Sequence, residues 1–247
     1  MIFDAFLYNG ETEVFNIRYA ELLGKVKFVP CQSSHTFSGK SKNYEYFTDA
    51  HNVIPVYFDK KPHRDPWKNE SEQREYLLTE GLKHALPNDI VLLGDVDEIP
   101  PGKFLKDAIT LMDSMDKPIV FNMSFYYYFL NLRRSERWNG TIVCKKKHIK
   151  SMEKLRRKRN KLPEYPGGWH FSFLGGPTEI IKKIEAFSHQ EYNTEKYKDQ
   201  ERILDYIRRG IDLFDRPVTM TMTAIDDTYP EYVKNNLSRW KEYICAS

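Results

Sequence analysis

The segment Ile90-Val91-Leu92-Leu93-Gly94-Asp95-Val96-Asp97-Glu98-Ile99-Pro100 decides the fold of this chain. Its first four residues are apolar and polar residues follow, a pattern typical of a buried strand in a parallel sheet. Residues two apart in an extended chain project to the same side, so Asp95 and Asp97 should meet at the carboxyl end of that strand. Open α/β sheets bind ligands at this end of their strands. Because two adjacent carboxylates repel each other, we expect a divalent cation that carries a phosphate or diphosphate between them.

The sequence on either side of this segment alternates between strand and helix patterns. The predicted strands of the first half cover residues 2–7, 26–31, 53–58 and 90–94, and the predicted helices cover 13–23, 70–86 and 103–115. Farther along, we expect strands over 119–129, 141–144 and 167–173, and helices over 195–209 and from about residue 230. The alternation predicts an α/β fold with a mostly parallel, twisted sheet flanked by helices.

Composition limits the classes of function open to this chain of 247 residues. Hydrophobic residues make up 40% and aromatic residues 14%, which is enough for a folded core. The formal net charge of +3 gives no general reason to expect a nucleic-acid partner. The cysteines Cys31, Cys144 and Cys245 form no CxxC pattern and favour a reducing compartment. Without a signal peptide after Met1 or a long apolar run, we expect a cytoplasmic protein with no membrane span.

Three residues are candidate ligands of a metal ion: Asp95, Asp97 and His170. Mg²⁺ or Mn²⁺ takes oxygen-rich octahedral ligands, and two aspartates with two diphosphate oxygens leave positions for water or a histidine. Gly167-Gly168 and Gly175-Gly176 flank the His170 strand and permit a close approach of backbone to a ligand. Other interpretations stay open: a solvated turn or a helix cap for the aspartates, a core position for His170, and ordinary tight turns for the glycines.

Other polar segments add further candidates. Arg74 would be exposed on its helix by default; buried and facing the aspartates, it would orient them or bind diphosphate. His189 and Glu191 precede the predicted helix over 195–209, either as a simple loop or as a general base near an acceptor. The run over residues 145–161 contains ten Lys or Arg residues, and we expect a solvated helix or a mobile loop there.

Several segments of the chain follow one another in a recognisable order. They are Phe3-Asp4-Ala5-Phe6 with Asn9 and Glu11, Ile17-Arg18, residues 36–40, Gln73-Arg74, residues 95–100, residues 168–172, residues 187–193 and residues 210–214. This order resembles glycosyltransferase family 17 over nearly the whole chain, with residues 145–161 as the part that does not match. The resemblance implies a GT-A type nucleotide-diphospho-sugar transferase fold and an inverting transfer from a UDP-sugar to a glycan. Residues 1–247 would form a single glycosyltransferase domain, with a nucleotide-binding part over about 1–118 and an acceptor part over about 119–247.

The resemblance also implies roles for individual residues. Asp95 and Asp97 would hold Mn²⁺ or Mg²⁺ on the donor diphosphate, and His170 would complete the metal shell. Gln32 stands where relatives tend to carry a glutamate; if that acid contacts the donor, the resemblance implies a different sugar or base preference here. UDP-N-acetylglucosamine is the favoured donor, and the absence of the Golgi anchor of animal members implies a cytoplasmic enzyme. The residues expected near the nucleotide are Phe6, Asn9, Gln32, Thr36, Gly39, Lys40, Arg74, Asp95, Gly175 and Gly176.

The expected chemistry is a single displacement at the anomeric carbon. A carboxylate would remove the proton of the acceptor hydroxyl, and the candidates are Glu98, Glu191 and Asp199. Two other classes of function stay open: an Asp-dependent phosphatase or phosphotransferase, and a non-catalytic sugar-nucleotide-binding module. Phosphatases of this kind usually begin with the strand that carries the Asp-x-Asp motif, whereas about ninety residues precede it here.

Overall fold

The first half of the chain folds as alternating strands and helices, in the predicted order. The computed structural model describes residues 1–45, 47 and 51–245. The elements of this half are β1 (Ile2–Leu7), α1 (Thr12–Leu22), β2 (Lys27–Ser33), β3 (Val56–Phe58), α2 (Pro66–Tyr76), β4 (Ile90–Asp95), β5 (Glu98–Ile99) and α3 (Leu105–Met115).

The second half contributes longer strands and shorter helices. Its elements are β6 (Ile119–Tyr127), β7 (Leu132–Lys145), α4 (Met152–Arg157), β8 (Glu164–Ser172), α5 (Gly176–Ala186), α6 (Glu195–Lys198), α7 (Gln200–Arg209), β9 (Met220–Met222) and α8 (Glu231–Lys234). Within the ranges that the structure describes, no helix combines the length and the apolar character needed to cross a membrane.

The strands of the described residues form one sheet in the order β3-β2-β1-β4-β7-β6-β8-β5, and β9 pairs with β7. β1 runs parallel to β2 and β4, and β6 runs parallel to β8. β7 is antiparallel to both β4 and β6, and β5 is antiparallel to β8. Because only β7 and β5 among these strands oppose the common direction, the predicted α/β fold with a mostly parallel sheet flanked by helices is confirmed.

The strand β4 is buried on both faces of the sheet, which explains its uninterrupted apolar sequence. Val91 and Leu93 pack into the cluster on one face, whereas Leu92 packs with Phe121 into the cluster on the other. Each of these β4 side chains is fully buried, and such burial stabilises the fold by about 1.5–3 kcal/mol per side chain. The burial of β4 therefore fixes the place at which Asp95 leaves the sheet.

Several elements differ from their predicted extents; the helix predicted over 70–86, for example, is α2 followed by a π-helical turn, Leu77–Gly81. The strand predicted over 141–144 is only the end of β7, whose first part is polar and pairs with β6 and β9. Apolar patterning does not detect such a strand, because most side chains of residues 133–139 are polar and are exposed or half-buried. The helix predicted over 195–209 is divided at Asp199, whose Oδ1 accepts a hydrogen bond from the Arg202 backbone N–H at 2.6 Å and so caps α7.

The basic run over residues 145–161 is not simply solvated, which corrects the prediction. Ser151 caps α4 by accepting a hydrogen bond from the Lys154 backbone N–H at 3.1 Å. Met152 and Arg156 are both buried. They lie four residues apart and therefore share one face of the helix. This face packs onto the protein and brings Arg156 to the end of β4.

Candidate active site

A cavity of about 580 Å³ lies at the carboxyl ends of β1 and β4. The loop after β4 lines it with Asp95 and Asp97, and the loop after β1 lines it with Asn9 and Glu11. Side chains from α2, α4, β8 and the region after α5 complete the walls. The cavity therefore lies where the sequence predicted that a ligand would bind.

The loop that carries the two aspartates is attached to α1 through Arg18, which is fully buried. Its guanidinium donates to both carboxylate oxygens of Asp4, at 2.7 and 2.6 Å. Its Nη1 also donates to the backbone carbonyls of Asp95 at 2.9 Å and Glu98 at 2.7 Å. Because these bonds satisfy carbonyls of a buried turn, they fix the backbone of residues 95–98.

Two arginines contact the carboxylate of Asp95, one on each oxygen. Arg74 Nη1 lies 3.2 Å from Oδ1, and Arg156 Nη2 lies 2.5 Å from Oδ2. Burial alone would raise the pKa of Asp95, but the charges of Arg156 and Arg74 outweigh burial and hold this pKa well below its usual range. Arg74 is itself buried and also pairs with Glu70 at 2.5 Å and Glu153 at 3.2 Å. Of the two alternatives considered for Arg74, exposed on its helix or buried and facing the aspartates, the structure shows the second.

Glu98 is fully buried, and both of its carboxylate oxygens accept hydrogen bonds. Oε1 accepts from Trp138 Nε1 at 2.6 Å and from Arg156 Nη2 at 2.5 Å. Oε2 accepts from Arg156 Nη1 at 2.7 Å and from the backbone N–H of Asp95 at 3.1 Å. A carboxylate that accepts four hydrogen bonds has no acceptor position left for a substrate proton. The contacts of Glu98 are those of a residue that positions Arg156 and Asp95.

Asp97 contacts a lysine and a histidine instead of arginines. Lys183 Nζ lies 2.8 Å from Oδ2, and His170 Nε2 lies 3.4 Å from the same oxygen. Burial would raise the pKa of Asp97, but the charges of Lys183 and His170 outweigh burial and lower this pKa well below its usual range. The imidazole of His170 stacks on Phe125 with ring centres 4.5 Å apart. Its Nδ1 is buried without a hydrogen-bond partner in the described part of the chain.

The carboxylate of Asp97 suits a hard divalent cation in donor type, and the spacing of Asp97 and His170 suits two neighbouring ligands of one ion. Neighbouring ligands of an octahedral ion with bonds of about 2.0–2.1 Å lie about 3 Å apart, close to the 3.4 Å between His170 Nε2 and Asp97 Oδ2. Among the described residues, no group of three His, Cys, Asp or Glu side chains is already assembled to hold a metal. Both oxygens of Asp95 contact arginines. A cation at Asp97 would therefore take further ligands from a diphosphate and from water.

The residues predicted to bind the nucleotide divide into two groups. Phe6 is fully buried in the core, with its ring 4.6 Å from the Arg18 guanidinium. Gln32 is also buried, and its side-chain amide pairs with the backbone of Glu45 at 2.6 and 2.8 Å. Both lie outside the cavity lining. The predicted nucleotide residues that line the cavity are Asn9, Arg74 and Asp95.

The loop after β2 brings His35 and Phe37 to the cavity. The predicted residues of this loop, Thr36, Gly39 and Lys40, form a turn beside it. The Thr36 backbone N–H donates to the Lys40 carbonyl at 2.8 Å, and Gly39 adopts a φ of +91° that favours glycine. These three residues therefore shape the loop, whereas His35 and Phe37 reach the cavity.

Of the remaining predicted residues, Gly175, Gly176, Glu191 and Asp199 lie outside the cavity lining. Gly175 and Gly176, with φ values of +93° and +74°, form the turn that starts α5. Glu191 is exposed and pairs with His189 Nδ1 at 2.7 Å, whereas His189 itself lines the cavity. Asp199 caps α7. The structure therefore brings neither Glu191 nor Asp199 to the aspartates.

Glu11, Arg156 and Lys183 are among the charged residues of the cavity that were not assigned a role from the sequence. Glu11 accepts a hydrogen bond from the Asn9 backbone N–H at 2.8 Å, and no basic side chain of the described residues forms an ion pair with it. Burial raises the pKa of Glu11, and the charge of Lys183 partly offsets this. Arg156 follows the buried Met152 of α4 by four positions, and Lys183 follows the buried Ile180 of α5 by three. This helical spacing is the signal in the sequence that could have identified both cations.

Comparisons with known proteins place the chain in a family. The sequence model of Glycosyltransferase family 17 matches residues 1–222. The crystal structure of S. aureus TarS 1-349 is similar with 15% identity and a TM-score of 0.41, over 83% of this chain and 69% of that chain. A putative nucleotide-diphospho-sugar transferase from Desulfovibrio desulfuricans G20 is similar with 9% identity and a TM-score of 0.37, over 85% of this chain and 98% of that chain. A comparison with curated proteins finds no match. Because the family match covers most of its residues, the chain belongs to glycosyltransferase family 17.

Proposed function

We propose that this glycosyltransferase moves a sugar from a UDP-sugar to a glycan hydroxyl with inversion at the anomeric carbon. N-acetylglucosamine is the favoured sugar. The observation that carries the proposal is the Asp95–Asp97 pair at the carboxyl end of β4, fixed by basic side chains inside a cavity. The volume of about 580 Å³ suits a small-molecule site, since such sites measure about 300–1,000 Å³.

The proposed cofactor is Mn²⁺ or Mg²⁺, with Asp97 and His170 as its protein ligands. When bound, the ion supplies positive charge beside the diphosphate, where negative charge increases as the leaving group departs. Lys183 contacts the same oxygen of Asp97, so this lysine and a cation would compete for one carboxylate. Asp95 would join the metal shell only if Arg74 or Arg156 released one of its oxygens.

We assign Glu11 the removal of the acceptor proton. The other carboxylates that line the cavity each pair with an arginine or a lysine, whereas Glu11 has no such partner among the described residues. A pKa raised by burial favours a general base that works near neutral pH. The paired carboxylates are Glu70, Asp95, Asp97, Glu98 and Glu153.

Aromatic side chains support a carbohydrate as the acceptor. Trp67 lines the cavity and is 42% exposed, so part of its ring is open to a ligand. Its ring contacts His189 with centres 4.5 Å apart, and Tyr192 contacts Phe214 with centres 4.1 Å apart in the same lining. Flat apolar surfaces of this kind are available to the apolar face of a sugar ring.

The binding of UDP to the whole protein, measured by isothermal titration with and without Mn²⁺, tests the proposal. We expect Mn²⁺ to strengthen UDP binding. Asp97→Ala should remove this dependence and lower sugar transfer by about 100-fold or more, since a preorganised charge at the leaving group is lost. Asp205→Ala is the matched control, because Asp205 is a carboxylate on α7 that lies outside the cavity lining, is 49% exposed in its side chain and pairs with Arg209.

Each alternative function has its own outcome in this experiment. UDP binding that is indifferent to Mn²⁺ would reject the metal assignment, as would near-parent transfer by Asp97→Ala. UDP binding without transfer from any UDP-sugar would indicate the non-catalytic module. Phosphate release from a phosphomonoester would indicate the Asp-dependent phosphatase, for which the arginine contacts on both oxygens of Asp95 are unfavourable.

A further inference from the structure

The basic side chains that line the cavity are paired with carboxylates, with one exception. Six arginine or lysine side chains line it among the described residues, and five of them form ion pairs. These five are Arg74, Arg156, Arg157, Lys183 and Arg216. The guanidinium of the sixth, Arg159, forms neither an ion pair nor a hydrogen bond with any described residue. Its charge is thus available to a ligand.

Arg159 is nevertheless held in a defined place. It begins the short 3₁₀ turn Arg159–Lys161 that follows α4. Its guanidinium carbon lies 4.5 Å from the ring centre of Trp138, a cation–π contact. Trp138 is in turn fixed by the hydrogen bond from its Nε1 to Glu98. Arg159 therefore lies beside Trp138, which contacts Glu98, and Glu98 in turn accepts a hydrogen bond from the backbone N–H of Asp95.

The surroundings leave the charge of Arg159 poorly compensated. Its side chain is half-buried, and burial followed by the nearby charge of Arg156 lowers its pKa. An anion that bound here would relieve both effects. Arg74, the arginine that the sequence suggested for diphosphate, already contacts three carboxylates. Its charge is therefore compensated by direct ion pairs, whereas Arg159 has only the more distant charges of Glu98 and Asp95.

We propose that Arg159 binds the β-phosphate of the UDP-sugar and stabilises the UDP leaving group. The inference rests on the proposed function and deepens it. In the transfer, the acceptor oxygen bonds to the anomeric carbon and its proton passes to Glu11. The bond from that carbon to the β-phosphate oxygen breaks, and its electron pair stays on UDP. A planar guanidinium donates to two phosphate oxygens at once, and donors already aimed at the oxygen that gains charge favour the transition state.

The test compares UDP with UMP, which lacks the β-phosphate. Isothermal titrations in the presence of Mn²⁺ would use the parent protein, Arg159→Gln and Lys158→Gln. Lys158→Gln is the matched control, because it removes the same charge from the neighbouring residue, whose exposed side chain lies outside the cavity lining. We expect Arg159→Gln to weaken UDP binding about 10- to 100-fold and UMP binding less than about threefold. The control should change both by less than about threefold.

The outcomes separate this inference from the function on which it rests. If the parent binds no UDP, the proposed function fails. If the parent binds UDP and Arg159→Gln binds it equally well, or loses UDP and UMP affinity alike, the role of Arg159 is overturned. Circular dichroism would check folding. Should Arg159→Gln not fold, Arg159→Lys decides by the same comparison: a selective loss of UDP affinity supports the role, and unchanged or equal losses overturn it.

Discussion

Replacing Arg156 with glutamine tests whether one guanidinium holds the buried charge cluster together. Arg156 is buried and contacts both Asp95 and Glu98, and Glu98 has no exposed surface. The removal of one partner from a buried ion pair costs about 3–5 kcal/mol, because the other charge stays buried without compensation. For a chain of this length each 1 kcal/mol lowers the melting temperature by about 2–4 °C. We therefore expect Arg156→Gln to lower it by roughly 6–20 °C.

Calorimetry and urea unfolding at neutral pH without metal would measure this loss. Arg157→Gln is the control, since the Arg157 side chain is 68% exposed and its ion pair should contribute at most about 1 kcal/mol. The double variant Arg156→Gln/Glu98→Gln should regain part of the loss, because no unpaired charge is left at residue 98. A loss below about 1 kcal/mol for Arg156→Gln, or strictly additive losses in the double variant, would refute the reasoning.

Three further predictions concern the same site. Gly94→Ala should lower the free energy of unfolding by about 1–3 kcal/mol in urea titrations, because a Cβ there would lie 2.6 Å from Thr141 Oγ1. Glu11→Gln should lower the kcat of sugar transfer by about 10²–10⁴ with UDP affinity unchanged; a loss of UDP affinity at unchanged kcat would contradict the base assignment. Without metal, the free energy of unfolding should fall as the pH drops below about 4. The pKa of Asp97 is lower in the folded state than in the unfolded state, so the ionised carboxylate stabilises the fold fully only at a pH above the unfolded-state pKa. Asp97→Asn should weaken this pH dependence in urea titrations from pH 7 to pH 3.

The β4 segment shows which features a local pattern predicts well. A run of apolar residues has few alternatives to burial, and the polar residues after it have few alternatives to the end of a strand. The strand, the placement of Asp95 and Asp97 and the largely parallel sheet follow from this. The strand with His170 was found for the same reason, because it is apolar on both sides of the histidine.

The partners of the aspartates could not be found in this way. An arginine on an amphipathic helix has the same sequence pattern whether its guanidinium faces solvent or a buried carboxylate. Arg156 was assigned to solvent because its neighbours are basic, although burial of Met152 turns it inward. Loops present a related difficulty. In the loop after β2, His35 and Phe37 line the cavity and Thr36 and Lys40 do not, and no periodicity distinguishes them.

The Arg18 anchor has a consequence for engineering this enzyme. It joins α1, Asp4 and the backbone of residues 95–98 into one unit, so a substitution within this unit disturbs every group at the end of β4. Lys183 on α5 and Trp67 on α2 lie on elements outside that unit, although both line the cavity. Libraries that vary α5 and the start of α2 should therefore change substrate preference, whereas libraries that vary α1 should mostly yield inactive protein.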